Sequence, residues 1–297
     1  MRKSSACNVI FVTLSPLKSW NANANFPMSQ TLPKFDNPPV IESVLGVEFD
    51  PLLKWGAPHF GLYWKEIRSE FPHSSTQAPL PSRTELFGEP VKEEVSIPFP
   101  LGGSPQIRCW FSDESKGSLI QVQRDHFLCN WRKIPSDTQY PHFHNTKLRF
   151  EKEWERFEHF VRSEQLGELI VKQCEVSYIN HIELEAGWQG LTSLDEIFPC
   201  WTAKGTDGFL PSPDTITVNT SYLIPENRGR LRFSLEPVFR HADLKELIQF
   251  TVTAMVIPMA ADSAQVMEAI ELGHEWAVRG FSDFTSAKMH QVWERKQ

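Results

Sequence analysis

Two histidines one residue apart, His142 and His144, are the most metal-like feature of the chain, with His126 and His181 as candidate third ligands. On a strand, an H-x-H pair puts both imidazoles on one face, where Zn²⁺ or another divalent ion could be held. Here the pair falls in what reads as a loop just before a helix. No carboxylate or cysteine follows at a diagnostic spacing, so solvated loop histidines are the more economical account. A second group is polar. Asn180 interrupts an apolar strand face that also carries Tyr178, and a buried amide must find partners. Asn130 and Arg132 share one face of another strand, where an arginine can hold a carboxylate or phosphate. Glu42 lies between Val40 and Val44 on its strand face and is expected to pair with Arg132 or another arginine. Glu42, Asn130, Arg132, Tyr178 and Asn180 form the candidate ligand-binding set, expected in a polar pocket between two halves of the chain. No catalytic residue is assigned, because no nucleophile elbow, phosphate-binding glycine loop, H-E-x-x-H or dinucleotide fingerprint is present.

These residues must be positioned by strands and helices that the apolar spacing indicates. Residues 40–49 alternate, with Ile41, Leu45, Val47 and Phe49 on one side and Val40, Glu42, Val44, Gly46 and Glu48 on the other. Phe60, Tyr63, Trp64, Ile67 and Phe71 have helical spacing, and Pro72 ends that helix. Residues 72–106 are rich in Pro, Ser and Gly and read as a long loop with a short strand near 91–97. Strands follow at 106–112, 119–123 and 127–132, then a helix from about 145 to 164 carrying Phe150, Trp154, Phe157 and Val161. A long strand at 174–185 repeats the texture of the first. A short helix at 192–198, a loop at 204–213, strands at 215–224, 230–239 and 247–257, and helices at 261–281 and 285–295 complete the chain. The expected fold is therefore α+β: two similar halves, residues 31–168 and 169–297, each ordered strand, helix, three strands, helix. Each half is an antiparallel sheet with helices on one face, and the two halves could form one continuous duplicated domain. Residues 1–30 imitate a short signal peptide, but Asn8, Thr13, Ser15 and Pro16 interrupt the apolar run; a disordered leader before a natural start at Met28 is the expectation.

Composition sets further bounds. The 297 residues are 40% hydrophobic and 23% charged, with 21 Phe and 10 Trp, enough apolar sequence for a large core. A net charge of −7 argues against a general nucleic-acid binder. Locally, Arg124, His126, Arg132, Lys133, Lys147, Arg149 and Lys152 interleave with Trp131, Phe143 and Trp154. Such a mixture suits single-stranded nucleic acid or another anion, although a solvated helix edge is the more frequent meaning. Five dispersed cysteines without a C-x-x-C pair fit a reduced cytoplasmic setting. No apolar run approaches the roughly 18 residues of a membrane span.

Pro38-Pro39-Val40-Ile41-Glu42 running into Leu45-Gly46-Val47-Glu48-Phe49 resembles the opening signature of a sporadically distributed bacterial family of uncharacterised proteins. The resemblance continues at residues 121–127, at Asn130-Trp131-Arg132, at Tyr140-Pro141, at Tyr178-Ile179-Asn180, and in the terminal helices with Trp276, Phe281 and Trp293. It implies a bacterial origin and, from the sporadic distribution, a setting beside mobile-element or defence genes. It implies no activity and no cofactor. The functional expectation is a non-enzymatic module binding a partner protein or a small anionic ligand. The alternatives are a hydrolase using Glu42, His126 or His142/His144, with or without a metal, and a single-strand binder.

Overall fold

A computed structural model describes residues 31–81, 85, 87, 107–135, 139–183, 190–201, 209, 213–240 and 243–296. The leader expected at 1–30, the short strand near 91–97 and most of the loop at 204–213 lie outside the described residues. Contacts unite Leu32–Gln297 into one unit.

The alternating segments become strands of one antiparallel sheet. In chain order they are β1 (Val40–Phe49), β2 (His73–Gln77), β3 (Arg108–Ser112), β4 (Ser118–Gln123), β5 (His126–Arg132), β6 (Val171–Glu183), β7 (Val218–Ile224), β8 (Gly229–Phe239) and β9 (Glu246–Val256). The sheet order is β2-β3-β4-β5-β1-β6-β9-β8-β7. β1 and β6 pair at the centre, with Leu45 opposite Val176 and Val47 opposite Cys174. The helices are α1 (Ala57–Ile67), α2 (His142–Ser163), α3 (Ser263–Phe284) and α4 (Ala287–Val292). The coarse α+β reading therefore stands. β2 lies inside what the sequence presents as loop, because the polar His73-Ser-Ser-Thr-Gln77 stretch has no apolar alternation to announce it. It is held by pairing with Arg108–Ser112.

Side chains alternate across each strand, which gives the sheet two unlike faces. Leu45, Val47, Phe49, Phe127, Val176 and Phe250 belong to the buried core. Phe157 of α2 stacks on Phe127 at 4.8 Å and also meets Phe49, Trp55, Tyr63 and Trp154. α3 approaches β6 and β9 closely at Gly273, where an added Cβ would lie 2.9 Å from Val176 and 3.4 Å from Val256. Burial pushes the Cys129 and Cys174 thiols up to about 12, so both behave as small core residues. The other face carries Glu42, Glu48, Arg108, Gln121, Asn130, Glu175, Arg232 and Thr253.

One register detail departs from the alternation read along β1. The pairing with β6 shifts between Val40 and Glu42, so Ile41 is bulged out of register. Val40 thereby joins the core at 7% exposure, opposite Asn180, instead of sharing the face of Glu42. A bulge adds one residue to one strand, and nothing in the residue types marks where.

Candidate functional site

The polar face holds a cleft of about 620 Å³ lined by residues of eight strands, from Arg108 on β3 to Ser221 on β7. β3 and β8 are separated by six strand spacings, about 29 Å on a flat sheet, so the lining draws on strands from both sides of the central β1–β6 pair. Val44, Leu128 and Met255 supply apolar patches in its lining; Glu48, Arg108, Glu175 and Arg232 supply charge, and His126 an imidazole. Gly46 lets Leu128 lie close against β1, since a Cβ there would stand 3.0 Å from the Leu128 Cδ2.

Three of the five sequence-predicted site residues come together on this face. The β1–β5 register sets Glu42 opposite Arg132. Asn130 Nδ2 donates to Glu42 Oε1 at 2.6 Å, and Arg132 Nε donates to the same oxygen at 3.0 Å. The chain of bonds continues: Gln121 Nε2 donates to Asn130 Oδ1 at 2.8 Å. Arg108 Nη1 and Trp110 Nε1 then both donate to Gln121 Oε1, each at 2.8 Å. Arg132 lies 4.6 Å over the Trp110 ring. Six side chains on four strands are thus linked through alternating donors and acceptors.

Arg108 is the exception in this network. Among the described residues no carboxylate pairs with it, and its Nε is buried without a partner. Burial lowers its pKa, and the nearby charge of Arg132 lowers it further. A guanidinium remains cationic under both influences, so it presents to the cleft a charge that no carboxylate among the described residues pairs with.

A second constellation sits at the hairpin between β4 and β5. His126 Nδ1 is 2.7 Å from Asp125 Oδ1, and its Nε2 faces Glu48 Oε2 at 3.7 Å. Gln123 Nε2 donates to Asp125 Oδ1 at 2.7 Å, and Gln173 Nε2 donates to Glu48 Oε2 at 2.6 Å. Burial pushes the Asp125 carboxyl up, but the bonds from His126 and Gln123 and the charge of Arg124 outweigh it and hold the group below its ordinary range. An imidazole fixed between two carboxylates is positioned to move a proton. Among the described residues, however, no hydroxyl or thiol is hydrogen-bonded to His126 as a nucleophile would be.

Tyr178 and Asn180 do not join Glu42, Asn130 and Arg132. Both lie on the opposite, core-facing side of β6, which places the expected five-residue pocket on two different faces. Asn180 Nδ2 donates to the carbonyls of Phe250 and Tyr178 at 2.9 and 3.3 Å. The Tyr178 hydroxyl is hydrogen-bonded to His274 Nδ1 at 2.8 Å, and the imidazole stacks on Phe143 at 3.6 Å. Burial pushes the His274 pKa down to about 3, so the ring is neutral at ordinary pH. The unfolded chain takes up a proton near pH 6.5 while the folded one does not, and stability is lost as pH falls from there toward 3, at most about 1.4 kcal/mol per pH unit. Unfolding free energies from urea titrations at pH 7 and pH 5 should therefore differ by about 2 kcal/mol more in the parent than in His274→Gln, whose amide keeps a partner for Tyr178. Equal acid losses in the two proteins would refute this.

His142 and His144 are in the first turn of α2. His142 enters the helix with a positive φ of 61° and His144 follows inside it, so neither has the extended backbone that gives an H-x-H pair one shared face. Among the described residues no three His, Cys, Asp or Glu side chains gather to hold a metal. Part of the basic stretch is engaged in ion pairs: Lys147 with Glu271, Lys152 with Glu70 and Glu153, and Arg132 with Glu42. Its aromatics are occupied too, since Trp131 and Trp154 are buried and Phe143 is stacked on His274.

Sequence reasoning passed over Arg108, Gln121 and the Asp125–Glu48 frame around His126. The signal for Arg108 and Gln121 was present as charge and amide on the sides of β3 and β4 opposite Cys109, Phe111, Ile120 and Val122. Only the antiparallel register makes them neighbours of Asn130. No protein-family model matches the chain, and no curated protein matches it at a significant level.

Proposed function

We propose that the chain is a non-enzymatic binding module that receives an anionic ligand, or an anionic group of a partner protein, in the cleft on the polar face of its sheet. The observation that carries this reading is Arg108, a cleft-lining cation with no carboxylate partner among the described residues. Ordered polar groups around it, supported by the Gln121–Asn130–Glu42 chain, give the orientation that a binding site needs. The absence of a nucleophile beside His126 among the described residues favours binding over hydrolysis.

The architecture behind the cleft is, in this reading, a duplication. Outward from β1 the strands run β5, β4, β3, and outward from β6 they run β9, β8, β7, so each half places its first strand centrally and the rest in reverse chain order. α2 follows β5 as α3 follows β9, and both helices then lie on the face away from the cleft. The resemblance of the opening signature to a sporadically distributed bacterial family, and the dispersed free thiols, suit a bacterial cytoplasmic setting.

The test is a thermal-shift titration with inorganic phosphate, citrate, succinate and mononucleotides against the parent and Arg108→Gln. At least one anion should raise the parent's melting temperature, because a ligand bound only by the folded state stabilises it, by about 2.7 kcal/mol at a hundredfold excess over its Kd. Arg108→Gln should lose most of that rise. A melting point unmoved by every anion, or moved equally in both proteins, would sink the reading.

A further inference from the structure

The polar face already holds two anchor points of the chain itself, Leu80 and Glu85. The Leu80 backbone N–H donates to Gln123 Oε1 at 2.8 Å, and Gln123 Nε2 returns a bond to the Leu80 carbonyl at 3.1 Å. Five residues on, the Glu85 backbone N–H donates to Gln173 Oε1 at 3.2 Å. The Glu85 side chain is fully buried, and its two oxygens accept from Nη1 of Arg230 and Nη1 of Arg232. The Arg230 guanidinium also lies 4.9 Å over the ring of Phe87. Side-chain amides thus hold the main chain, an arginine pair holds the acid, and a ring beyond the acid packs under one arginine.

These contacts are those by which a folded surface recognises an acidic peptide: main-chain bonds for affinity, and a cationic pair for the one residue that is specified. The pair is built by β8. Residues two apart on a strand share a face, so Arg230 and Arg232 present two guanidiniums side by side. A carboxylate with no exposed surface can be stable there only because both cations meet it. Arg232 is shared, since it also lines the cleft that Arg108 reaches from the other side.

We propose that this face is a docking site for an extended acidic peptide segment of a partner protein, and that Glu85 fills its arginine pair in cis until such a segment displaces it. The inference rests on the reading of the cleft as a binding site and names the class of its occupant. Because Glu85 is tethered, it competes at an effective concentration in the millimolar range. A free peptide therefore meets an occupied site in the parent protein.

The experiment uses a fluorescein-labelled peptide with the sequence of residues 78–87, titrated by fluorescence anisotropy at low salt with parent protein and Glu85→Gln. The neutral amide keeps the shape of the side chain but gives up the charge-assisted bonds, so Glu85→Gln should bind the peptide at least about tenfold tighter than the parent. Arg232→Met added to Glu85→Gln should abolish the gain, and so should Gln in place of Glu in the peptide. Glu85→Asp, with its shorter reach, provides a second protein that keeps the charge and should show a partial gain. The inference is overturned if folded Glu85→Gln and Glu85→Asp bind the peptide no better than the parent, or bind its Gln version equally well. The small-anion shift governed by Arg108 is read in the same proteins. If it persists while peptide binding is absent, the cleft reading stands and only the peptide is wrong.

Discussion

Phe157→Ala should lower the free energy of unfolding by about 3–5 kcal/mol, the range for emptying a fully buried aromatic site. Phe157 has no exposed surface and touches five other rings, among them Phe127 from β5, Phe49 from β1, Tyr63 from α1 and Trp55 from the preceding loop. Truncation therefore removes contacts to three separately held elements at once, and the large rigid rings around the gap cannot collapse into it without shifting the sheet. Denaturant unfolding of the parent, Phe157→Ala and Phe157→Leu measures this. The leucine variant should lose clearly less, because it refills much of the volume. Phe239→Ala, at a side chain 66% exposed, should stay within about 0.5 kcal/mol of the parent. A Phe157→Ala loss as small as that of Phe239→Ala would mean that α2 does not seal the core as described.

The second large effect is at Gln121. It is 5% exposed and, among the described residues, carries the hydrogen bonds that join the Arg108–Trp110 side of the network to the Asn130–Glu42 side, beside the stacking of Arg132 on Trp110. Gln121→Leu leaves Asn130 Oδ1, Trp110 Nε1 and Arg108 Nη1 without their partner, and about 2–4 kcal/mol of stability should go with them. Anion binding in the cleft should go as well, because Arg108 loses the acceptor that aims it. Gln121→Glu separates the two effects. Its carboxylate still accepts from Arg108 and Trp110, so stability should fall less than in the leucine variant. The added negative charge neutralises Arg108, so the thermal shift with anions should vanish all the same. If Gln121→Glu keeps the full shift, Arg108 is not the ligand's cation.

Much of this was legible before any coordinates, because strands that bury one face leave a period of two in the sequence. Phe127, Cys129 and Trp131 against Leu128, Asn130 and Arg132 is such a pattern, and a pairing of Glu42 with Arg132 could be anticipated from charge alone. What could not be read is what depends on register between distant segments. The one-residue bulge at Ile41 moves Val40 into the core. The side of β6 occupied by Tyr178 and Asn180 was readable, but whether Glu42 and Arg132 share that side is set by the sheet. The partnership of Glu85 with Arg230 and Arg232 spans about half the chain and begins in a Pro- and Ser-rich stretch, where no periodicity exists to detect. The start of α2 at His142 was missed because Pro141 and His142 carry little of the side-chain capping that usually announces a helix.

The pairing of β1 with β6 has a consequence for how the protein is made. Leaving the ribosome in order, β1 can acquire β5 once residue 132 has emerged, but its other edge waits for residues 171–183. In that interval the most apolar strand of the first half offers a row of unpaired amides and carbonyls to any neighbouring nascent chain. β6 in turn stays open on its far side until β9, at residues 246–256, completes it. The last pairings to become possible are therefore those of β9 with β6 and β8, after a long stretch of translation in which β6 is open. The centre of the finished molecule is the part most at risk while it is being synthesised.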